Sequence, residues 1–382
     1  MAATVREFPG QRTPDPSADE VLAACREDDV QFVNLQFTDI TGVVKMVTIP
    51  VDVFPGVIVN GQWFDGSSIA GFARIAESDM FLMPDLSTFT VVPWERGRNT
   101  TARVICWVHR PDGELFPGDP RAVLLRQLER LANLGFVYHT GPEVDLSTDL
   151  AAEVRKDMVR ALQGMGIAVE ATHHETAIGQ HEIDFEYADA MTSADQAITF
   201  KFTLKAIAQQ HGLHATFMPK PIEGIAGSGM HTHQSLARLE PGNVIGENVF
   251  VDQGDPYGLS PIARQFLAGQ LAHIRGMTAV LNPLVNSYRR LVPGFEAPVY
   301  VSWARQNRSA LIRVPTTRMG RHVGTLPATL GEAIAELARD DVVKAALGEH
   351  VYERLSEAQT REWRAFCHHV TAWERARYME IY

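Results

Sequence analysis

Residues 168–187, AVEATHHETAIGQHEIDFEY, decide the class of fold. Polar and apolar residues alternate across Ala168–Glu175 and again across His181–Tyr187, with a glycine in the stretch between them. A period of two is typical of half-buried strands, so the stretch predicts two strands. Acids and histidines occupy strand positions that a sheet otherwise gives to packing residues. This exception to the packing pattern points to a functional site on the sheet.

Further strands surround this stretch. Val30–Phe37 and Val43–Ile49 are β-branched runs around the turn residues TDITG, which predicts a hairpin. Two more strands are expected near Ala102–Val108 and Met230–Leu236. Strands in hairpins with flanking helices predict an α+β fold and not strict βαβ alternation.

The helices are predicted from their capping signals. A side chain that accepts from backbone N–H groups begins each helix, and glycine ends several of them. The predicted helices run from Ser17 to about Asp29, Asp119 to Gly135, Ser147 or Thr148 to Gly164, Ser193 to His211, Ser260 toward Asn282, and from Leu326 to the end of the chain. The stretch PDGELFPGD at 111–119 predicts a boundary between a domain at 18–110 and a second domain at 111–382.

Length and composition exclude several classes of protein. The 382 residues allow two or three domains, and 45% hydrophobic residues exclude a disordered or fibrous chain. A formal charge of −11 without a basic block argues against nucleic-acid binding. No stretch is apolar enough to span a membrane, and the N-terminus lacks the apolar region of a signal peptide. Three widely spaced cysteines, at 25, 106 and 367, favour a reducing, cytoplasmic location.

Four strand segments carry the acids and imidazoles. Because side chains alternate along a strand, each segment brings its polar residues to one face. The sets are His173 with Glu175, Glu182 with Asp184 and Glu186, Glu143 with Asp145, and His231 with His233 and Ser235. Carboxylates with a minority of imidazole are typical ligands of Mg²⁺ or Mn²⁺. From the residues alone a surface role stays open, and so does a metal-dependent hydrolase that uses His231 and His233.

Arginines form a second group within residues 289–313. Their planar guanidinium groups bind carboxylate or phosphate bidentately, and here they lie among apolar segments, which favours a cleft over a solvated face. They are Arg289, Arg290, Arg305, Arg308 and Arg313. The glycine-rich AGSGM at 226–230 would bring backbone amides close to an anionic ligand, although it lacks the Lys-Ser/Thr of a P-loop.

These residues resemble the glutamine synthetase family, in particular a type I-like glutamate–ammonia ligase. The resemblance is carried by WFDGSSIAGF (63–72), ESDMFLMPD (77–85), HHETAIGQHEIDF (173–185), ATFMPKP (215–221), GSGMHTHQS (227–235), NSYRRLVPGFEAPVY (286–300) and NRSALIR (307–313). It implies a small β-grasp-like N-terminal domain and a large catalytic domain with an antiparallel sheet and flanking helices. It also implies a homo-oligomer of two stacked six-membered rings, with active sites between subunits.

The resemblance further implies an activity and its cofactors. The family joins glutamate to ammonia with ATP as co-substrate, through a γ-glutamyl phosphate, and uses two divalent ions, Mg²⁺ or Mn²⁺. Motif matches imply that Glu175 and Glu182 are metal ligands, and that Glu143 and His231 hold the second ion. Nothing in the resemblance implies a nucleic-acid or membrane partner.

Motif matches also imply roles for the nucleotide and substrate residues. Asp65 resembles the residue that binds and deprotonates ammonium, and Glu296 resembles the flap acid that closes over the intermediate. The expected ATP contacts are His173, His233, Ser235, Arg308 and Arg313, and the expected substrate contacts are Gly227, Arg290, Arg308 and Arg313.

The chain departs from the family pattern at three places. GPE runs directly into VDLSTDL, so the second acid of a Glu-x-Glu pair is absent, with Asp145 as a shorter substitute or a chance neighbour. Ala226 stands where the family has an asparagine before GSGM. Between Arg318 and Arg321 the chain lacks the Glu-x-Arg-x-Pro-Asp strand and the following helix. These departures leave open a glutamate–amine ligase of the γ-glutamyl-polyamine type, or a catalytically impaired member that lacks a metal ligand and a phosphate-binding arginine.

Overall fold

The structure is a computed structural model of the 382-residue chain. It describes residues 15–66, 79–97, 99–147, 152–293, 297–304, 310–314 and 322–378. The chain divides into two compact units, Met1–Phe266 and Leu267–Tyr382. None of the helices in these described ranges is long and apolar enough to cross a membrane.

The first unit begins with a mixed six-stranded sheet. Its strands are in the order β2-β1-β6-β4-β3, with β5 paired to β6, and β1 and β6 are parallel whereas the other pairs are antiparallel. The elements are α1 (Ala18–Glu27), β1 (Phe32–Thr38), β2 (Val44–Pro50), α2 (Phe54–Asn60), β3 (Gln62–Asp65), β4 (Asp79–Pro84), β5 (Thr90–Val91) and β6 (Thr101–His109). The predicted hairpin and the predicted strand near Ala102–Val108 are confirmed.

A hydrophobic core lies on one face of this sheet. Alternate residues of β6, from Ala102 to Val108, pack there with Val33, Leu35 and Phe54, and all are nearly inaccessible to solvent. Helix α1 closes this core, and both hydrogen bonds of its predicted capping box are present, between Ser17 and Glu20. This alternation along β6 follows from the period of two in the side-chain directions of a strand.

The same unit continues into a second six-stranded sheet. Its order is β12-β11-β7-β9-β8, with β10 paired to β7, and every pair is antiparallel. The elements are α3 (Pro120–Asn133), β7 (Phe136–Ser147), α4 (Ala152–Gly164), β8 (Val169–His174), β9 (Gln180–Phe185), β10 (Ala188–Asp189), α5 (Ala190–Gln210), β11 (Met230–Glu240) and β12 (Val244–Asn248). The strands predicted from residues 168–187 are β8 and β9.

Helices α4 and α5 pack against this sheet through a core that includes Met158, Leu162, Ile183 and Phe200. Helix α3 begins at Asp119 and Pro120 as predicted. The prediction of Ser193 as the cap of α5 is wrong. Asp189 caps the helix instead, because its carboxylate accepts from the backbone of Met191 and Thr192. Ser193 is buried, and its hydroxyl donates to the carbonyl of Thr140.

The second unit holds a three-stranded sheet and a helical C-terminus. The sheet has the order β14-β13-β15. The elements are α6 (Pro261–Leu281), which contains the division between the units, α7 (Ser287–Arg290), β13 (Tyr300–Ala304), β14 (Ala310–Arg313), β15 (His322–Thr325), α8 (Leu330–Arg339), α9 (Asp341–Leu347), α10 (Glu349–His368) and α11 (Ala372–Tyr378). Leu330, Leu337 and Ala279 lie at the centre of its largest core. The mixture of sheets and helices confirms the α+β class.

Candidate active site

The four strand segments that carry acids and imidazoles are neighbours in the second sheet. His173 on β8 lies opposite Glu182 on β9. In the backbone register, Glu143 on β7 lies opposite Asp184 on β9 and opposite His231 on β11. Directly opposite residues of an antiparallel pair occupy the same face of a sheet. The fold thus collects the polar positions of four separate segments on one surface.

Three of these residues form a compact cluster. His173, Glu175 and Glu182 each offer a ligand atom, and the three atoms lie within 4.8 Å of one another. The Nε2 atom of His173 is 3.0 Å from Oε1 of Glu175. Glu182 is buried, Glu175 is half-buried and His173 is exposed, so the cluster has one side open to solvent. Two carboxylates and an imidazole at this spacing fit a hard divalent cation such as Mg²⁺ or Mn²⁺.

Glu175 is held as a carboxylate. Its Oε2 atom accepts from the backbone N–H of Thr176 at 2.8 Å and from the Thr176 hydroxyl at 3.1 Å. Partial burial favours the neutral acid, but these hydrogen bonds and the His173 ring outweigh it and hold the pKa of Glu175 below its ordinary value. Only the ionised form is a cation ligand, so this environment prepares the side chain for metal binding at neutral pH.

Two contacts around Glu182 were not apparent from the sequence. The Thr172 hydroxyl donates to the backbone carbonyl of Glu182 at 3.0 Å, which ties β8 to β9 at the cluster. Arg155, on α4, donates to Nδ1 of the neighbouring His181 at 2.7 Å. A hydroxyl-bearing, β-branched residue within a predicted strand was the available signal for Thr172. Arg155 had no comparable signal, because 26 residues separate it from His181.

The glycine-rich segment and β11 continue the same surface. Gly227 is buried, and its carbonyl accepts from the Gln180 side chain at 3.3 Å, which attaches the segment to the start of β9. By the strand period, His231, His233 and Ser235 lie on one side of β11. Both histidines are exposed and Ser235 is half-buried, so all are accessible to a bound ligand.

The remaining predicted site residues belong to other segments of the chain. Asp65 is exposed at the end of β3. Arg290, at the end of α7, and Arg313, at the end of β14, belong to the second unit. Glu296 and Arg308 lie outside the described residues, as does the side chain of Glu143. Among the described side chains, His231 does not join the three-residue cluster.

Two family models match the chain. The glutamine synthetase β-grasp domain matches residues 29–111, and the glutamine synthetase catalytic domain matches residues 145–323 and 316–378. The catalytic match is in two pieces that meet at residues 316–323, where the sequence predicted a missing segment. It also starts at residue 145, directly after the predicted gap that follows Glu143.

Curated relatives agree over almost the whole chain. Glutamine synthetases of Thermus thermophilus, Thermotoga maritima and Staphylococcus aureus are 43%, 41% and 40% identical to it. The alignments cover 95%, 93% and 95% of this chain, and 99%, 98% and 98% of the relatives. The Thermus alignment spans 449 positions, whereas 95% of 382 residues is about 363. About 86 of its positions therefore hold no residue of this chain, as the predicted gaps require.

Solved structures give the same result for the fold. GmaS, as an ADP complex in its first conformation and without ligand, is similar to this chain with TM-scores of 0.85 and 0.84 at 27% identity. In both cases 94% of this chain and 99% of the other is covered. The N-terminal sheet is thus a β-grasp domain, and the sheet with the acidic cluster belongs to the catalytic domain. The chain belongs to the glutamine synthetase family and is a ligase of that type.

Proposed function

We propose that this ligase joins glutamate to ammonia and forms glutamine, with ATP as the phosphoryl donor. The γ-phosphoryl group of ATP passes to the glutamate side chain and leaves ADP. Ammonia then displaces phosphate from the γ-glutamyl phosphate and loses a proton. The observation that carries this proposal is the His173–Glu175–Glu182 cluster beside the glycine-rich segment, in a chain 40–43% identical to glutamine synthetases.

In this proposal separate groups of residues bind the metal ions, the nucleotide and the substrates. Glu175 and Glu182 hold one divalent ion, and Glu143 and His231 hold the other. When bound, the ions supply positive charge to the oxygens of the transferring phosphoryl group. His173, His233 and Ser235 contact the nucleotide, and Gly227, Arg290, Arg308 and Arg313 bind the substrate carboxylate and the phosphates. Asp65 takes the proton of ammonium, and Glu296 closes over the intermediate and excludes water.

A larger amine is the second candidate acceptor. Ala226 has a methyl group where the family pattern has an asparagine side chain, which removes a polar contact next to Gly227. The similarity to GmaS at 27% identity also shows that this fold is not limited to proteins named glutamine synthetase. We therefore treat a glutamate–amine ligase as the alternative.

The missing segments are expected to slow the reaction. The Glu-x-Arg-x-Pro-Asp strand would supply a metal ligand and an arginine, and both act on the transferring phosphate. Loss of one such contact costs roughly 3–4 kcal/mol in a transition state. Two losses at one group need not add, so we expect a rate below roughly a hundredth of that of a complete relative.

On this proposal the two domains are 18–110 and 111–382, and Asp65 reaches a neighbouring subunit within a ring.

The test is ADP release with glutamate and Mg²⁺ or Mn²⁺, with ammonia, methylamine and a polyamine compared as acceptors. Ammonia is expected to give the highest rate, whereas a higher rate with an amine would favour the alternative. No ADP with any acceptor would contradict both the glutamine synthetase and the glutamate–amine ligase.

A segment with Glu-x-Arg-x-Pro-Asp inserted between Arg318 and Arg321 is expected to raise the rate of ADP release. Light scattering on the same samples is expected to give a ring-sized oligomer, and an active monomer would contradict the shared site.

A further inference from the structure

A second candidate binding site lies on the opposite face of the β-grasp sheet from its core. A cavity of about 440 Å³ is lined there by residues of β6 and α5, and none of the three cluster residues lines it. All of its lining residues lie in the first unit. A volume of several hundred Å³ is that of a site for a small organic molecule.

Arg103 is an unusual residue in the wall of this cavity. It is 5% exposed, and its Nε and Nη1 atoms are buried without a hydrogen-bond partner among the described residues. Burial lowers the pKa of its guanidinium to about 10, and the negative charge of Asp195 only partly offsets this effect. The group is still charged at neutral pH. A buried charge without partners destabilises the folded state, so a counter-ion bound in the cavity would stabilise it.

The carboxylate whose charge acts on Arg103, that of Asp195, is already used by another arginine. Asp195 accepts from Arg121 through both oxygens, with Nε at 3.0 Å and Nη2 at 2.7 Å. Arg121 also donates to Asp85 at 2.7 Å, so the two acids balance its charge and leave Arg103 without a dedicated partner. One residue along from Asp195, the buried Oε1 atom of Gln196 accepts no hydrogen bond in the described part of the chain. Arg103 and Gln196 therefore both line the cavity, and both carry buried polar atoms without a partner in the described part of the chain.

We propose that this cavity binds a small organic monocarboxylate whose carboxylate pairs with Arg103. The ligand also has a hydrogen-bond donor for Gln196 and an apolar body, because Ile105, Ile167 and Met191 form part of the wall. A single negative charge matches Arg103 alone. A second charge would be repelled by the carboxylate of Asp195, so a phosphate is disfavoured.

The probe is 4-hydroxyphenylacetate, which carries a carboxylate, an aromatic body and a hydroxyl donor. Binding to the full chain is measured by calorimetry, with 4-hydroxyphenylacetamide as the neutral isostere and inorganic phosphate as the second anion. The acid is expected to bind at least tenfold more tightly than the amide, because a hydrogen bond to a charged group is worth about 1.5–3 kcal/mol. Equal binding of acid and amide would overturn the proposal, as would tighter binding of phosphate.

Variants separate this cavity from the ligase site. Arg103→Met is expected to weaken binding of the acid at least tenfold. Arg110→Met is the matched control, since Arg110 follows β6 and pairs only with the exposed Asp112 in the described residues. It is expected to leave the affinity unchanged. If Arg103→Met does not fold, Thr192→Trp provides the second test, because Thr192 is exposed at the cavity and a large ring there blocks entry. Binding of the acid that survives Arg103→Met in a folded chain, or Thr192→Trp where Arg103→Met does not fold, would overturn the proposal, whether or not the chain synthesises glutamine.

Discussion

The two sheets of the first unit use their strands in opposite ways. In β6 of the β-grasp sheet, eight of nine residues are buried, whereas in β8 of the catalytic sheet five of six are exposed. Both are regular strands with polar side chains among apolar ones. The difference is that helices α3 and α5 cover the second face of β6, while the polar face of β8 is open to a ligand.

Charged residues therefore have different consequences in the two sheets. In the covered sheet, a charge must be paired within the protein or it destabilises the fold. On the open sheet, a charge is hydrated and can exchange water for a metal ion or a phosphate. We expect substitutions of the charged residues buried at the covered first sheet to change stability, and substitutions at the open face of the second sheet to change activity. The predictions below test that separation, beginning with the largest effect.

Arg121→Met is expected to have the largest effect on stability. Arg121 is 9% exposed, donates to Asp85 and Asp195, and lies 3.9 Å from the ring centre of Trp107. Its removal leaves the buried Asp85 and the half-buried Asp195 without the guanidinium group, and breaking a buried pair costs about 3–5 kcal/mol. Urea denaturation measures the loss.

The control is Arg110→Met, which removes an exposed ion pair with Asp112. An exposed pair contributes little, so its loss is expected to change the free energy of unfolding by less than about 1 kcal/mol. Equal losses in the two variants would mean that burial at the covered sheet does not decide how much an ion pair contributes to the free energy of unfolding.

Asp119→Asn is expected to change the pH dependence of stability. Asp119 is 2% exposed, and burial raises its pKa from 3.8 to about 6, although Val108 and Arg121 donate backbone hydrogen bonds to it. The folded state thus holds this proton more tightly than the unfolded chain does. The stabilisation is complete below about pH 4 and is lost as the pH rises through 6.

Asparagine has no such proton to lose. From pH 4 to 7 the stability of Asp119→Asn should therefore rise relative to the parent chain, by roughly 3 kcal/mol for a shift of this size. Urea denaturation at several pH values measures the difference. Loss of the hydrogen bond from Val108 would shift the stability of the variant by the same amount at every pH, so it does not affect how the difference changes with pH. A difference between variant and parent that stays constant from pH 4 to 7 would contradict the prediction.

Much of this architecture could be predicted from the sequence because its signals are local. The Ser17–Glu20 capping box and the two strands within residues 168–187 were each predicted from signals in a short stretch of chain, and both predictions are confirmed. The Ser193 cap was wrong because the helix begins four residues earlier, where the Asp189 side chain accepts from the backbone of Met191 and Thr192.

The candidate site was predictable only in part. Residue types identified Glu175 and Glu182, but the meeting of four strands depends on the strand order, which no local pattern specifies. Arg103 was not predicted at all. In the sequence it is one arginine in an apolar strand, and only tertiary packing leaves its Nε and Nη1 without partners.

Glu175→Gln tests the open sheet. It keeps the size of the side chain and an acceptor for Thr176 but removes the charge of a proposed metal ligand. The affinity for Mn²⁺ and the rate of ADP release are each expected to fall about 10–100-fold, the usual range for a disturbed metal site. The free energy of unfolding should change by less than about 0.5 kcal/mol, because the side chain lies at an open surface. Glu170→Gln, at an exposed position of β8, is the control and should change none of these quantities, and a similar loss there would point to net charge as the cause.

Thr172→Val is expected to have the smallest effect, and it tests whether the separation is complete. The Thr172 hydroxyl donates to the carbonyl of Glu182 at 3.0 Å, so it contributes to the strand pair that positions a proposed ligand. Valine keeps the shape and the preference for strands, and the loss should cost about 0.5–1.5 kcal/mol of stability. The backbone pairs of His173 with Glu182 and of Thr172 with Ile183 remain, so we expect Mn²⁺ affinity to fall by less than tenfold. Parallel urea and Mn²⁺ titrations measure both quantities. A fall in affinity as large as that of Glu175→Gln, with stability unchanged, would mean that this hydroxyl acts on the metal site directly and not through the strand pair.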